Sequence, residues 1–359
     1  MKLTFQQLKI PFKHSFSHAS ATRMETEAVI VKAVSSAGVT GFGEGCPRSY
    51  VTGETLETVE RFFGAFLEEL GELEDLESLS SWCEQHVMEI NENPSAWCAV
   101  ELAILDVLSR ERGASVESLL SLAALSGVFQ YTGVLGAEGM GTFSKVMDIY
   151  QQVGFTDYKL KVSGDLELDR QKVANLRETP SFRIRLDGNN LWRDAKEASA
   201  YVKALDVPFM GVEEPLLAKD FDSMRSFSDS TGLKVILDES FLAFDDFALI
   251  ASDPERWIIN LRVSKVGGLL RSLKIAARTI ESGVGLIIGA QVGETSILTR
   301  AALAIAAQHK GHLLGQEGAF GTHLLERDVT KEPLSFGSCG QFDASDLGQR
   351  QGLGIECDL

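Results

Sequence analysis

The 359-residue chain is 44% hydrophobic and 24% charged, ordinary proportions for a globular protein, and long enough for more than one domain. Its net charge of −17 argues against nucleic-acid binding, which needs clustered Lys and Arg. No apolar run reaches the ~18 residues of a membrane span, and the start lacks the apolar core of a signal peptide, so a cytoplasmic protein without membrane partners is expected. Cys46, Cys83, Cys98, Cys339 and Cys357 show no C-x-x-C spacing, which points to reduced thiols.

Residues 2–9 alternate loosely as a strand. Residues 27–34 are rich in Val, Ile and Ala, and a Gly-bounded turn at 38–41 leads into 42–45, which together read as an antiparallel meander. The polar segment 14–23 reads as a mobile loop. A second loop, 46–53, carries Arg48 and Tyr50 as candidate substrate contacts. From Glu54 the period changes: Leu56, Val59, Phe62, Phe63, Phe66, Leu67 and Leu70 fall at helical spacing. Asn93-Pro94-Ser95 opens a second helix over 96–112, apolar nearly all round and so buried. Glu101 and Asp106 on it read as structural hydrogen-bond partners. Strands followed by helices make residues 1–120 an α+β domain.

Strand and helix then alternate. Barrel strands are predicted at 128–133, 157–162, 183–187, 211–213, 235–238, 258–263, 285–289 and 311–315, within a barrel of residues 121–321. The irregular tail, 322–359, is expected to return to the first domain and complete it.

Four short runs in the barrel stop at charged residues: 158–161, 186–189, 212–215 and 237–240. Asp187, Glu213 and Asp238 are 26 and 25 residues apart, the period of a β/α repeat, whose chemistry sits where the strands end. Three hard oxygen donors on successive strand ends suit Mg²⁺. Without a cation, two such charges about 4 Å apart repel by ~4 kcal/mol at an effective dielectric near ~20. Asn189, Glu214 and Glu239 are candidates for orienting the ligands. Lys159 and Lys161 share one strand face, which in a barrel points inward. Each ammonium depresses the pKa of the other by ~3 units on the same arithmetic, towards a usable general base. A lysine base beside Mg²⁺ suits removal of a proton α to a carboxylate, with the metal neutralising the enediolate.

At these motifs the chain resembles the enolase superfamily, in particular its muconate lactonizing enzyme subgroup. Gly41-Phe42-Gly43-Glu44 and Thr52-Gly53-Glu54-Thr55 are similar to the capping-domain hairpin of that family, and the helix at 96–108 to its buried cap helix. Lys159-x-Lys161, Asp187-Gly188-Asn189, Glu213-Glu214-Pro215 and Asp238-Glu239-Ser240 are similar to its active-site motifs, in order. Gly352-Leu353-Gly354-Ile355 is similar to its C-terminal signature. The resemblance implies a modified (β/α)₈ barrel with an α+β capping domain, assembled as a homo-oligomer. It implies Mg²⁺ on Asp187, Glu213 and Asp238, with Lys161 as base and Lys159 as its electrostatic partner. Loops around His18 and 48–52 would close over a small carboxylate substrate.

One position departs. The subgroup has Asn-x-Lys on the sixth strand, where this chain has Asn260-Leu261-Arg262. Arg262 takes the place of a lysine that works from the opposite face of the substrate, and arginine is effectively never deprotonated. By alternation Lys265 should point outward; a register slip would bring it inward as a second base. One-base chemistry is therefore favoured: cycloisomerisation or syn-elimination of water. The alternatives are a racemase or epimerase of an amino-acid or dipeptide derivative, an acid-sugar dehydratase, and a non-catalytic barrel that binds Mg²⁺ and a carboxylate. Gln291 and Glu294 on the seventh strand, and Gln316 and Glu317 on the eighth, are substrate-facing candidates. No aspartate pair like that of dipeptide epimerases stands there.

Overall fold

Five strands open the chain: β1 (Lys2–Leu8), β2 (Pro11–His18), β3 (Ala21–Glu25), β4 (Ala28–Val34) and β5 (Thr40–Gly45). The structure, a computed structural model, describes residues 1–18, 21–179 and 183–359, with the side chains of residues 14–23 outside the description. β1, β4 and β5 form an antiparallel sheet with β4 in the middle, where its Ala-Val-Ile-Val run is buried. β2 and β3 pair separately as a hairpin where the sequence predicts a loop; a ribbon of polar residues carries no apolar alternation to read.

Helices α1 (Leu56–Gly71), α2 (Leu76–Gln85), α3 (Val87–Glu92), α4 (Pro94–Glu111) and α5 (Val116–Leu119) follow. Thr55 and Thr58 cap α1 reciprocally, satisfying two orphan donors of its first turn. Pro94 opens α4, which is buried from Pro94 to Ser109. This helix lies directly on β5. A Cβ on Gly45, Gly43 or Gly41 would come within 2.0, 2.0 or 2.5 Å of the Ser95, Ala99 and Ala103 carbonyls respectively. Glycines two apart on the strand thus meet helix residues four apart, one face of each.

β6 (Val128–Gln130) precedes the eight parallel strands β7 (Gly133–Leu135), β8 (Asp157–Lys161), β9 (Arg183–Asp187), β10 (Gly211–Glu213), β11 (Lys234–Leu237), β12 (Trp257–Leu261), β13 (Gly285–Ile288) and β14 (Leu313–Gln316). They pair in sequence order, and the Thr132 N–H donates to the Gln316 carbonyl (2.7 Å) to join the two ends of the sheet. Between and after them run α6 (Met140–Val153), α7 (Leu166–Arg177), α8 (Ala195–Ala204), α9 (Phe221–Thr231), α10 (Phe247–Ile250), α11 (Val263–Val266), α12 (Leu269–Glu281) and α13 (Ser296–Gln308). Inside the barrel, Ile236, Ile258 and Ile287 pack with Met210 and Leu314 as an apolar layer one pleat below the charged strand ends.

The first barrel strand is therefore β7, a few residues later than predicted. β6 instead pairs antiparallel with β15 (Gln341–Asp343), in the tail. The tail also reaches α4: the Leu353 N–H donates to Asp106 (2.8 Å) and the Arg110 guanidinium to the Ile355 carbonyl (2.7 Å). All five cysteines are free. Among the described residues no helix is long and apolar enough to cross a membrane.

Because the Gly43 approach is to backbone and not to a flexible side chain, Gly43→Ala is expected to destabilise by about 3 kcal/mol, measured as a lower urea midpoint with unchanged slope.

Candidate active site

β8 delivers both lysines of its last turn to the barrel interior, because residues two apart share a face; both are buried. Lys159 Nζ lies 3.3 Å from Glu213, 2.9 Å from Glu317 and 3.7 Å from Asp187. Lys161 Nζ lies 3.0 Å from Asp187 and donates to Asn189 Oδ1 (3.1 Å). The Asn189 amide in turn donates to Asp187 (2.7 Å), so one asparagine orients Lys161 and its neighbouring carboxylate together. Burial opposes the Lys159 charge, but Glu213, Glu317 and Asp187 raise its pKa above the ordinary value. The expectation that each lysine drives the other towards neutrality is thus corrected for Lys159. Three carboxylates outweigh burial and the Arg262 charge.

On the other side of the barrel, Arg262 contacts Asp238 and lies 3.7 Å from Glu213; its second amino group donates to Gln291 Oε1 (3.2 Å). Asn260 Nδ2 donates to Glu213 (3.1 Å). Lys265 points neither outward nor into the pocket. It is wholly buried, and its Nζ donates to the Asp238 carbonyl (2.7 Å), Asp238 Oδ1 (3.0 Å) and the Asn260 carbonyl (2.8 Å). The reason is that β12 ends at Leu261 and α11 begins, so strand alternation no longer applies at residue 265.

The carboxylates divide by surroundings. Burial, with Asp187, Glu317 and Asp238 adding repulsion, pushes the Glu213 carboxyl up to about 7 against the pull of Lys159. Burial also works to raise Asp238, but Arg262 and Lys265 hold it below its ordinary value. For Glu317, burial is outweighed by Lys159 and Arg185, which bring it down to about 2. Burial, followed by Asp238 and Glu214, drives Glu239 well above the usual range. Glu214 accepts from the Asp238 and Ser240 N–H groups and the Ser240 hydroxyl at 2.7–2.8 Å, so it shapes the turn that presents Asp238.

Asp187, Glu213 and Asp238 are three hard oxygen donors on adjacent strand ends, the donor set a divalent cation of the Mg²⁺ type takes, and such an ion would relieve the repulsion that Asp187 and Asp238 exert on Glu213. Among the described residues no ready-made cluster of three metal-ligating side chains exists: Lys159 bridges Asp187 and Glu213, and Arg262 bridges Glu213 and Asp238.

Of the substrate-contact candidates, Gln291 and Glu294 lie together past β13, the Gln291 N–H donating to Glu294 (2.8 Å). Burial, then Glu44, raises Glu294 well above its ordinary value. Glu317 is taken up by Lys159 and by Arg185 (2.6 Å). Tyr50 is half-buried in the turn after β5, and the His18 side chain lies outside the described residues. Arg48 is corrected. It is buried and donates to the Glu27, Pro47 and Val292 carbonyls, each at 2.7 Å, which ties the cap to the segment after β13. Arg185 was not singled out from the sequence, although its place two residues before Asp187 puts it on the same inward face.

Residues 143–359 match the family described as Enolase C-terminal domain-like, and residues 3–121 match the Mandelate racemase / muconate lactonizing enzyme, N-terminal domain. A hydrophobic dipeptide epimerase of Enterococcus faecalis is 26% identical, with 97% of this chain and 96% of that protein aligned. An N-succinyl-L-Arg/Lys racemase of Bacillus cereus is 22% identical over 86% of this chain and 85% of that protein. The crystal structure of the Enterococcus faecalis dipeptide epimerase complexed with Mg and L-Leu-L-Tyr superposes with a TM-score of 0.86 at 24% identity, covering 99% of both chains.

Arg48→Met leaves three carbonyls at the junction of cap and barrel without their donor. It is expected to cost about 3 kcal/mol, seen as a lowered thermal midpoint; a side chain that only met substrate would leave that midpoint unchanged.

Proposed function

This chain belongs to the mandelate racemase/muconate lactonizing enzyme family, and on that premise we propose that it removes the α-proton of a small carboxylate, with Mg²⁺ as cofactor and Lys161 as its single base. Asp187, Glu213 and Asp238 are the residues that would hold the cation. Bound there, it supplies Lewis-acid neutralisation of the charge that develops on the substrate carboxylate. The relative solved with Mg supports this assignment.

In this reading Lys161, oriented by Asp187 and Asn189, accepts the proton. Lys159 is kept cationic by Glu213, Glu317 and Asp187 and acts as a fixed positive charge beside it. The observation that carries the one-base reading is Arg262. It sits at the end of the strand four along from β8, half the circumference of an eight-stranded barrel, where a 1,1-proton transfer needs a second acid–base group. A guanidinium does not titrate there, and the Lys265 amine is committed to Asp238 and Asn260. Syn-elimination or cycloisomerisation, which return no proton to the opposite face, fit this arrangement.

Epimerisation is the second reading, favoured by the names of the relatives. It needs a donor opposite Lys161 that is neither Arg262 nor Lys265. The reading also takes residues 1–120 with 322–359 as the cap and 121–321 as the barrel, supported by the bonds from the tail to α4. It takes the protein as a cytoplasmic homo-oligomer without nucleic-acid or membrane partners, in keeping with its charge of −17.

Incubation in D₂O with Mg²⁺ and a panel of L-Leu-L-Tyr, N-succinyl-L-lysine, acid sugars and muconate-like diacids is expected to label the α-carbon of at least one acid. EDTA abolishes the label, and Lys161→Ala lowers its rate by about 10³-fold. A panel left wholly unlabelled overturns the proposal. Recovered substrate is expected to keep its configuration; deuterium in both epimers replaces this reading with the epimerase. Arg262→Lys restores a titratable amine opposite Lys161 and is expected to label both epimers.

A further inference from the structure

Asp169 and Lys172, both wholly buried, form an ion pair of 3.6 Å on α7, in the helix layer and outside the pocket. Taking two charges out of water costs several kcal/mol per ion, and an apolar pair of similar volume is often as stable. Stability alone therefore gives no reason for this pair. Its hydrogen bonds give one. The Asp169 carboxylate accepts from the Ser163 N–H (2.8 Å), the Ser163 hydroxyl (2.8 Å) and the Tyr201 hydroxyl (2.7 Å). Lys172 Nζ reaches the Gly136 carbonyl (3.4 Å), just past β7.

Ser163 is two residues beyond Lys161. The Val162 N–H between them is held by the Asp187 carbonyl of the next strand (3.0 Å). The chain leaving the base thus has its first N–H fixed by β9 and its second fixed by Asp169. Tyr201, on α8, packs on Trp192 with ring centroids 5.1 Å apart. The Trp192 N–H donates to the Pro215 carbonyl (3.3 Å), and its ring lies 3.2 Å from where a Cβ on Gly188 would stand. Asp169 and its partner Lys172 therefore connect the segments that follow β7, β8, β9 and β10, and β9 and β10 end in Asp187 and Glu213.

We propose that Asp169 is a positioning residue: it clamps the Ser163 backbone so that Lys161 keeps its place beside Asp187. This rests on the reading of Lys161 as the base. A base displaced by about 1 Å loses about 100-fold in rate, so a clamp two residues away has leverage without touching substrate.

Two double variants separate the clamp from the ion pair. Asp169→Asn/Lys172→Met and Asp169→Ala/Lys172→Met both remove the buried charges, but only the asparagine keeps an acceptor for the Ser163 N–H. In the alanine variant, hydrogen–deuterium exchange at the Ser163 amide is expected to quicken by about tenfold or more, with Mg²⁺ affinity within about twofold of wild type. With a panel acid that the wild type labels, kcat for α-deuterium exchange falls about 10- to 100-fold while KM stays within about threefold. The asparagine variant restores both readouts. Should the alanine variant not fold, Ser163→Ala removes one of the two Ser163 donors and is expected to slow kcat about threefold at unchanged KM. Unchanged exchange at the Ser163 amide, or identical behaviour of the two double variants, overturns the proposal. A wild type that labels no acid sinks the reading of the base; a wild type that does, with an unaltered Ser163 amide in the alanine variant, sinks the clamp alone.

Discussion

The barrel depends on interlocked buried charges. Asp187, Glu213, Asp238 and Glu317 face Lys159, Lys161, Arg185, Arg262 and Lys265 within a few ångströms, nearly all of them buried. Burying one such ion costs several kcal/mol, and a lone partner seldom repays it. Here several members have more than one: Lys159 meets three carboxylates and Asp238 meets two cations. The same arrangement separates the acids electrically. Glu317 is held ionised by Lys159 and Arg185, whereas burial, with the repulsion of its neighbours added, raises Glu213.

The cap is joined to this barrel by carboxylates used as helix caps across the junction. Glu44, at the end of β5, accepts from the Thr295 N–H and hydroxyl and the Leu298 N–H, at the start of α13. Glu101, on α4, accepts from the Leu270 N–H at the start of α12. Each places a carboxylate at the positive end of a helix and fills orphan donors that would otherwise be buried unpaired. The glycines of β5 let α4 lie close enough for Glu101 to reach. The missing side chains of one element therefore set how closely another approaches it.

Arg262 joins the two themes. A lysine there would be one more amine; an arginine is a planar, permanently charged fork that contacts Asp238, Glu213 and Gln291 at once. In the proposed one-base reading, this position holds charge and does no acid–base work.

The residues alone determined much of this. Charged residues ending apolar runs at a steady β/α period located the strand ends, and two-residue alternation turned Lys159 and Lys161 inward, since both signals are local and repeat. The same local rules went astray where a distant partner decided the outcome. β6 reads like a barrel strand but pairs with residues 341–343; residues 14–23 read as a loop because the hairpin pairing lies in the backbone. Lys265 escapes alternation where the strand gives way to a helix, and Arg48 looks like a ligand contact until three carbonyls from separate segments close on it. Only the tertiary structure shows which cation faces which acid, because those pairs join residues up to 158 apart in the chain, and the energy of a buried charge depends on every neighbour that the fold brings to it.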